Sequence, residues 1–260
     1  MKNNIKSIVK AGAVINLLAA SETPLSLATI AAETGIVKST VHGIVSTLVD
    51  IGYVTQIQEC GRYQLGMRLF EIGSSISNKW NERKIAYPYM QKIAEKTDET
   101  VHMAILSEGE VLYVNKQESN RSIQIVTADG VRLPAHCTGL GKVLLSGMSN
   151  YEVKQFCNKM GLAKYTETTI TSYEALIEEL NNIREKGYAV DRQEFMEGLF
   201  CIAVPIFNND EKIIAALSLS GPVSRMSDAS FNYKKRCMLK SSVEISSQLG
   251  YMHGIRRKET

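Results

Sequence analysis

Three groups of residues carry side chains whose types and spacing could do chemistry. The first is Thr138-Gly-Leu-Gly-Lys142, which reads as the start of a helix. The first amides of a helix lack intrahelical carbonyl partners. Backbone N–H groups at Gly139 and Leu140 therefore favour an anion such as a carboxylate, and the two glycines would let it approach the backbone. The segment is not a nucleotide-hydrolysing phosphate loop, because Lys142 is followed by Val143 rather than Ser or Thr and no glycine stands at the required upstream position. The second group lies in Ala215-Ala-Leu-Ser-Leu-Ser220. Strand alternation puts Ser218 and Ser220 on one face with Ala216, and Leu217 and Leu219 on the other. Such a hydroxyl pair could border a ligand or simply solvent. The third group is His102, His136, Cys137, Asp191 and Cys201, whose separations match no metal-ligand pattern, so neither metal nor cofactor is expected. An enzyme acting on a small carboxylate could use Cys201 or Cys137 as nucleophile, His136 as base and Asp191 to orient it. No spacing demands that arrangement, and Cys201 reads more simply as a small buried residue beside a ligand. No enzyme is expected.

A different chemistry is written near the N-terminus. Ile5, Ile8, Val9, Ala13, Val14, Leu17 and Leu18 recur at helical spacing, and Ser21-Glu-Thr-Pro24 stops that helix. Ser26 can cap a short second helix carrying Leu27, Ile30 and Ala31, which Gly35 closes in the left-handed conformation. A third helix opens at Lys38 or Ser39 and buries Val41, Ile44, Val45, Leu48 and Val49. Helix, glycine turn and helix form a helix-turn-helix, whose second helix offers its first exposed residues to base edges or phosphates. Those residues are Lys38, Ser39, Thr40 and His42. Tyr53 to Gln58 and Arg62 to Leu65 alternate as a hairpin about Glu59-Cys-Gly61, a wing from which Arg62 could reach the DNA backbone. A plain three-helix packing module with a wet polar face fits the same periodicity.

Downstream, residues 67 to 99 read as helical, with Pro88 near a helix start. Val101 to Leu106 and Val111 to Asn115 flank a Glu108-Gly-Glu110 turn, and Ser122 to Thr127 reads as extended. Helices are expected over Thr138 to Leu145, near Tyr151 and near Ser172, and strands over Tyr188 to Asp191, Phe200 to Phe207 and Ile213 to Ser220. A helix over Ser227 to Gly250 ends the pattern, which implies an α+β second domain with an antiparallel sheet. The chain of 260 residues exceeds one ordinary domain, and its 44% hydrophobic and 22% charged content is that of a globular protein. Residues 7 to 20 are interrupted by Ser7, Lys10 and Asn16, so neither signal peptide nor membrane helix is read there. Five scattered cysteines without a CxxC pair fit reduced thiols in a cytoplasm. Net charge is only +3, and up to Gly66 five basic residues face four acidic ones, so charge alone does not announce a nucleic-acid binder.

The wording of several segments is more specific. Ile30-Ala-Ala-Glu-Thr-Gly-Ile-Val-Lys-Ser-Thr-Val-His42, Leu48-Val-Asp-Ile-Gly-Tyr-Val54 and Tyr63-Gln-Leu-Gly66 resemble the IclR family of bacterial regulators. So do Leu133-Pro-Ala-His-Cys-Thr-Gly-Leu-Gly-Lys142, Gly187-Tyr-Ala-Val-Asp-Arg-Gln-Glu194 and Gly198-Leu-Phe-Cys-Ile-Ala-Val-Pro-Ile206, and the resemblance spans nearly the whole chain. It implies a winged helix-turn-helix over residues 1–66, a helical linker over 67–84, a GAF-like effector domain over 85–254 and a tail over 255–260. It also implies an effector pocket built from Gly139, Leu140, Asp191, Cys201, Ser218 and Ser220, in which the two amides bind carboxylate oxygens, the serines donate or accept, and Asp191 accepts a hydrogen bond. The function implied is that of a ligand-responsive regulator, more often a repressor, of a catabolic operon. The partners implied are a palindromic operator in double-stranded DNA, a small organic acid or sugar acid, and further copies of the chain as dimer or tetramer. One departure stands out: the family usually places Arg after the Val-His of the recognition helix, where this chain has Gly43.

Overall fold

A computed structural model of the protein describes residues 4–118, 128–226 and 230–252. The extended segment expected over Ser122 to Thr127, the start of the helix expected from Ser227, and the tail lie outside the described residues. The chain forms two compact units, residues 1–80 and 81–260.

The first unit holds α1 (Lys6–Ala20), α2 (Leu27–Thr34), α3 (Lys38–Asp50), the hairpin β1 (Val54–Ile57) and β2 (Arg62–Leu65), and α4 (Met67–Lys79). Val14 and Leu18 of α1, Ile30 of α2, Val41, Val45 and Leu48 of α3, Val54 and Tyr63 form its core. Ser26 caps α2, its hydroxyl accepting from the Thr29 amide at 3.1 Å, and Gly35 closes it at φ 66°. Leu25 bridges Tyr63 through two backbone bonds of 2.9 and 2.8 Å, which ties the wing to the segment between α1 and α2. The helix expected over 67 to 99 is two helices, because Trp80 adopts an extended conformation (φ −82°, ψ 98°) and ends α4.

The second unit begins with α5 (Asn81–Thr97) and the hairpin β3 (Thr100–Ser107) and β4 (Glu110–Gln117), followed by a short β5 (Arg132–Pro134) absent from the expectation. Then come α6 (Gly139–Ser146), α7 (Asn150–Met160), α8 (Tyr173–Lys186) and the strands β6 (Ala189–Arg192), β7 (Leu199–Phe207) and β8 (Ile213–Pro222). A single turn, α9 (Val223–Met226), and the long α10 (Phe231–Gln248) complete it. The antiparallel sheet has the order β5-β4-β3-β8-β7-β6, so β3 and β8, remote in sequence, sit centrally. One face packs Leu217, Leu219, Ile202 and Met103 with Met90 and Ile93 of α5 and Met238 and Ile245 of α10. The other packs Ala104, Ala203 and Ala216 with Leu140 and Val143 of α6 and Leu176 and Leu180 of α8. The small residues on that second face leave room beside the sheet, and the site lies there.

Pro88 corrects an expectation. It stands inside α5, seven residues past the first, rather than near a helix start. An interior proline removes one helical hydrogen bond and costs about 3 kcal/mol. The buried Ala86, Met90, Ile93 and Ala94 on either side bind the helix to the sheet and offset that cost. Among the described residues no helix is long and apolar enough to cross a membrane.

Two glycines of the first unit make opposite predictions. A Cβ at Gly66 would collide with the carbonyl oxygen of Gly52, whereas one at Gly43 would meet nothing within 4 Å. Gly66→Ala should destabilise the unit by about 2–4 kcal/mol, since backbone must move. Gly43→Ala, in mid-helix, should stabilise it by about 0.5–1 kcal/mol. Urea unfolding of the full chain followed by circular dichroism checks both, and equal effects would contradict the assigned packing.

Candidate effector site and DNA-reading helix

Strand register assembles the site. Thr100, Ser220, Cys201 and Asp191 are lateral neighbours across β3, β8, β7 and β6, and His102, Ser218 and Ala203 form the adjacent row. Directly paired residues share a face, so both rows project toward α6. The hydroxyls of Ser218 and Ser220 stand 3.3 Å apart and both residues are buried, which removes the reading in which that face borders solvent.

Over these rows sits the N-terminus of α6. Thr138 caps it: its hydroxyl accepts from the Gly141 amide at 3.2 Å and donates to the Pro134 carbonyl at 2.9 Å, fixing the helix start to the end of β5. A Cβ at Gly139 would stand 3.3 Å from that of Ala203 and 3.6 Å from that of Asp191, so the helix end lies close on the sheet. The two glycines have different tasks from those expected. Gly141 does not line the cavity; a side chain there would strike the backbone of Ala135, and its bareness serves loop packing rather than ligand approach.

A cavity of about 620 Å³ opens in front of this helix end. Gly139, Leu140, Asp191, Cys201, Ser218 and Ser220 all line it, so the structure brings the six expected effector-site residues together. His102 and Tyr113 also line it, their rings edge to face at 5.3 Å. Neither was assigned to the pocket from sequence, although His102 alternates in register with the serines it faces. Much of the remaining wall is apolar, from Leu133, Leu199 and Pro222 among others, and no Lys or Arg lines it among the described residues.

The electrostatics turn on a lysine. Lys142, 1% exposed, ends in a buried cluster: its Nζ donates to Glu194 Oε1 at 2.5 Å, Glu179 Oε1 at 2.9 Å and the Val190 carbonyl at 2.8 Å. Glu194 follows a tight turn after β6 in which Gln193 takes a left-handed φ of 66°. Hydroxyls of Thr166, Thr168 and Thr169 donate to the carbonyls of residues 192 to 194 and hold that turn. Asp191 Oδ1 accepts from the Glu194 amide at 2.8 Å. Burial pushes the Asp191 carboxyl up to about 7, and the Glu194 charge adds to the rise against the pull of the Glu194 and Gly139 amides and of Lys142.

Burial keeps His102, Cys201 and Cys137 neutral. Burial, with a contribution from Lys116, lowers His102 to about 3. Burial pushes the Cys201 thiol well above its usual range and the Cys137 thiol up to about 12, with the charge of Asp191 adding to both. His136 gives its Nε2 to the Ala163 carbonyl at 2.9 Å and does not line the cavity. Cys137 is likewise outside it; Cys201 lines the cavity beside Asp191, but the base considered from sequence, His136, is not brought there with them. Among the described residues no three His, Cys, Asp or Glu gather as a metal site.

In the first unit, Lys38, Ser39 and His42 are exposed at the start of α3 and Thr40 is half-buried, while Val41 and Val45 turn inward. The chain begins α3 from Val37 without a side-chain cap, leaving its first amides open. Arg62 is exposed beside the turn at the tip of the wing. Gly43 lies on the same exposed stretch as His42.

The comparisons with known proteins agree with this architecture. The model of the IclR helix-turn-helix domain matches residues 7–58, and that of the bacterial transcriptional regulator IclR C-terminal domain matches residues 76–247. The chain is 34% identical over 247 residues to the HTH-type transcriptional regulator XynR of Escherichia coli, covering 95% of this chain and 98% of that one. The crystal structure of the Thermotoga maritima IclR superposes with a TM-score of 0.78 at 29% identity, over 95% of this chain and all of that one. An IclR homologue of Microbacterium hydrocarbonoxydans complexed with 4-hydroxybenzoate gives 0.82 at 25%, covering 94% and 98%. The protein belongs to the IclR family of winged helix-turn-helix transcriptional regulators. It is a transcription factor and not an enzyme.

Asp191 makes the pH dependence testable. An unfolded aspartate loses its proton near pH 4, whereas the folded one keeps it to about 7. Between those values the unfolded state binds fewer protons, so stability falls as pH rises and levels off above 7. Asp191→Asn removes this decline while its Oδ1 can still accept from the Glu194 amide. Its stability advantage over the wild type should grow by about 2–4 kcal/mol between pH 4 and 8. Parallel pH profiles in urea unfolding would contradict the assignment.

Proposed function

We propose that this regulator controls a catabolic operon, chiefly as a repressor, by sensing a small organic acid or sugar acid in the α6 pocket. The observation that carries the reading is the meeting of the first amides of α6, of which that of Gly139 reaches the Asp191 carboxyl, with the hydroxyls of Ser218 and Ser220 in one cavity. That combination binds carboxylate oxygens through directed N–H and O–H donors rather than through a cation. Asp191 accepts from a hydroxyl of the ligand or, when protonated, donates to it. The relative complexed with 4-hydroxybenzoate supports a carboxylic acid as the ligand class. DNA is read by α3, with Lys38, Ser39, Thr40 and His42 on bases and phosphates and Arg62 on the neighbouring backbone.

The chain acts as a homodimer joined through its DNA-binding unit, and effector units can pair such dimers into tetramers. Ile5, Ile8 and Val9 at the start of α1 and Met67, Phe70 and Ile76 of α4 are each more than half exposed, an apolar surface that a second copy would cover. A two-fold dimer presents two α3 helices to a palindromic operator, and ligand shifts operator affinity by favouring one arrangement of the dimer.

Binding of a fluorescent fragment of the chain's own promoter region, against random DNA of equal length, tests the first half. Specific retention is expected, and Lys38→Ala should reduce the slope of log affinity against log salt by about 1. No preference over random DNA would overturn it. Calorimetry with acetate, lactate, gluconate and 4-hydroxybenzoate tests the second half. At least one should bind, with Ser220→Ala weakening it about tenfold, and binding that ignores that substitution would place the site elsewhere.

A further inference from the structure

Among the described residues the pocket presents donors for an anion but no Lys or Arg to neutralise it. Its charged side chains are acids, Asp191 and the exposed Glu197. Behind Asp191 lies a largely buried cluster of unequal charge: Lys142 Nζ serves both the buried Glu194 and the half-buried Glu179, and the Asp191 carboxyl sits next to it on β6. Fully ionised, these four groups carry one positive and three negative charges. Glu194 Oε2 is buried without a hydrogen-bond partner, so part of that negative charge is uncompensated. Lys142 cannot turn to an incoming carboxylate, because three acceptors already hold its ammonium.

Every other group facing Asp191 is uncharged. Cys201 opposes it from β7, Tyr113 approaches from β4 and Cys137 from the segment before α6, and burial holds all three protonated. His102 of β3, across the cavity, is neutral. His136 has its proton affinity lowered by burial, against the pull of the Ala163 carbonyl and the Glu194 charge. A carboxylate placed at the N-terminus of α6, where the Gly139 amide already reaches Asp191, therefore adds a further negative charge to a low-dielectric region already in excess. The group able to relieve it is Asp191, by taking a proton; its carboxyl titrates at about 7 before any anion arrives.

We propose that the effector is a monocarboxylate bound together with one proton, which resides on Asp191, so that acid strength of the medium and ligand concentration are read by one pocket. The inference rests on the carboxylate reading of the site above. A second carboxylate on the ligand would find no countercharge among the described residues, which disfavours dicarboxylates. The proton converts Asp191 from acceptor to donor, and the protonated carboxyl can then hydrogen-bond the bound anion directly.

The sign of the linkage follows. Below pH 7 Asp191 already carries the proton, and affinity is flat down to the ligand's own carboxyl range. Above 7 each bound anion must draw a proton from solvent, and affinity falls by up to tenfold per pH unit. The test is calorimetry of acetate, lactate, gluconate and 4-hydroxybenzoate at pH 6.5 and 8.5, in buffers of different ionisation enthalpy. For an acid that binds, the proposal expects Kd to rise about tenfold or more across that range, with close to one proton taken up at the higher pH. In Asp191→Asn both effects should vanish. Binding with equal Kd at both pH values and no proton uptake overturns the proton but leaves the carboxylate site intact. Uptake that persists in Asp191→Asn overturns the assignment to Asp191. Binding of none of the four acids at either pH defeats the carboxylate reading itself. Should Asp191→Asn fail to fold, the ¹³C shift of the Asp191 carboxyl in the wild-type complex at pH 8 decides, protonated supporting the proposal and ionised overturning it.

Discussion

The buried ammonium of Lys142 is the interaction on which the effector unit is organised. It leaves α6 one turn past the cap and meets Glu194, Glu179 and the Val190 carbonyl, joining α6, α8 and β6 at one point. Removing one partner from such a cluster costs about 3–5 kcal/mol, because the remaining charges stay buried and uncompensated. The consequence is positional. With its fourth residue held to β6 and its cap held to β5, α6 places its N-terminal amides over the rows of Ser218, Ser220, Cys201 and Asp191. The cavity is what remains between that helix end and a sheet face made of small residues.

On the proposed reading, the described residues of the pocket would hold a carboxylate without an arginine. Helix amides and two hydroxyls supply directed donors, and the Lys142 ammonium is engaged with acids behind the wall. Affinity then depends on how well the buried acids tolerate another negative charge, which makes Asp191 a sensitive element of the pocket. The cysteines, by contrast, are passive. Cys201 separates Asp191 from Ser220 within one row of the sheet, and its thiol is held far from ionisation.

Much of this was legible in the sequence because local physics and tertiary packing agree there. Ser26, Gly35 and Thr138 act as the cap and stop signals their types announce, and the alternation about Ser218 and Ser220 gives their shared face directly. Gathering Gly139, Asp191 and Cys201 around those serines came from family resemblance rather than from spacing, since strand register between β3, β6, β7 and β8 is set by long-range pairing. Other features carried no local signal. Lys142 and Glu194 are residue types normally found at the surface, and only the convergence of α6, α8 and β6 buries them together. Pro88 reads as a helix boundary because intrinsic propensity opposes it, and packing of α5 on the sheet overrides that preference. Trp80 breaks the long helical pattern without a glycine or proline to mark it.

The central claim is that occupancy of the α6 pocket governs how tightly the two α3 helices hold DNA. It is tested most directly by fluorescence anisotropy of the chain's own promoter fragment, titrated with a carboxylic acid that binds the wild type, in parallel on the wild type and on Ser218→Leu, which fills the cavity. The account predicts that the acid changes operator affinity at least fivefold in the wild type and leaves the filled-pocket variant, still bound to DNA, unmoved. An acid that binds the pocket without altering operator affinity, or that alters it equally in both proteins, would contradict it.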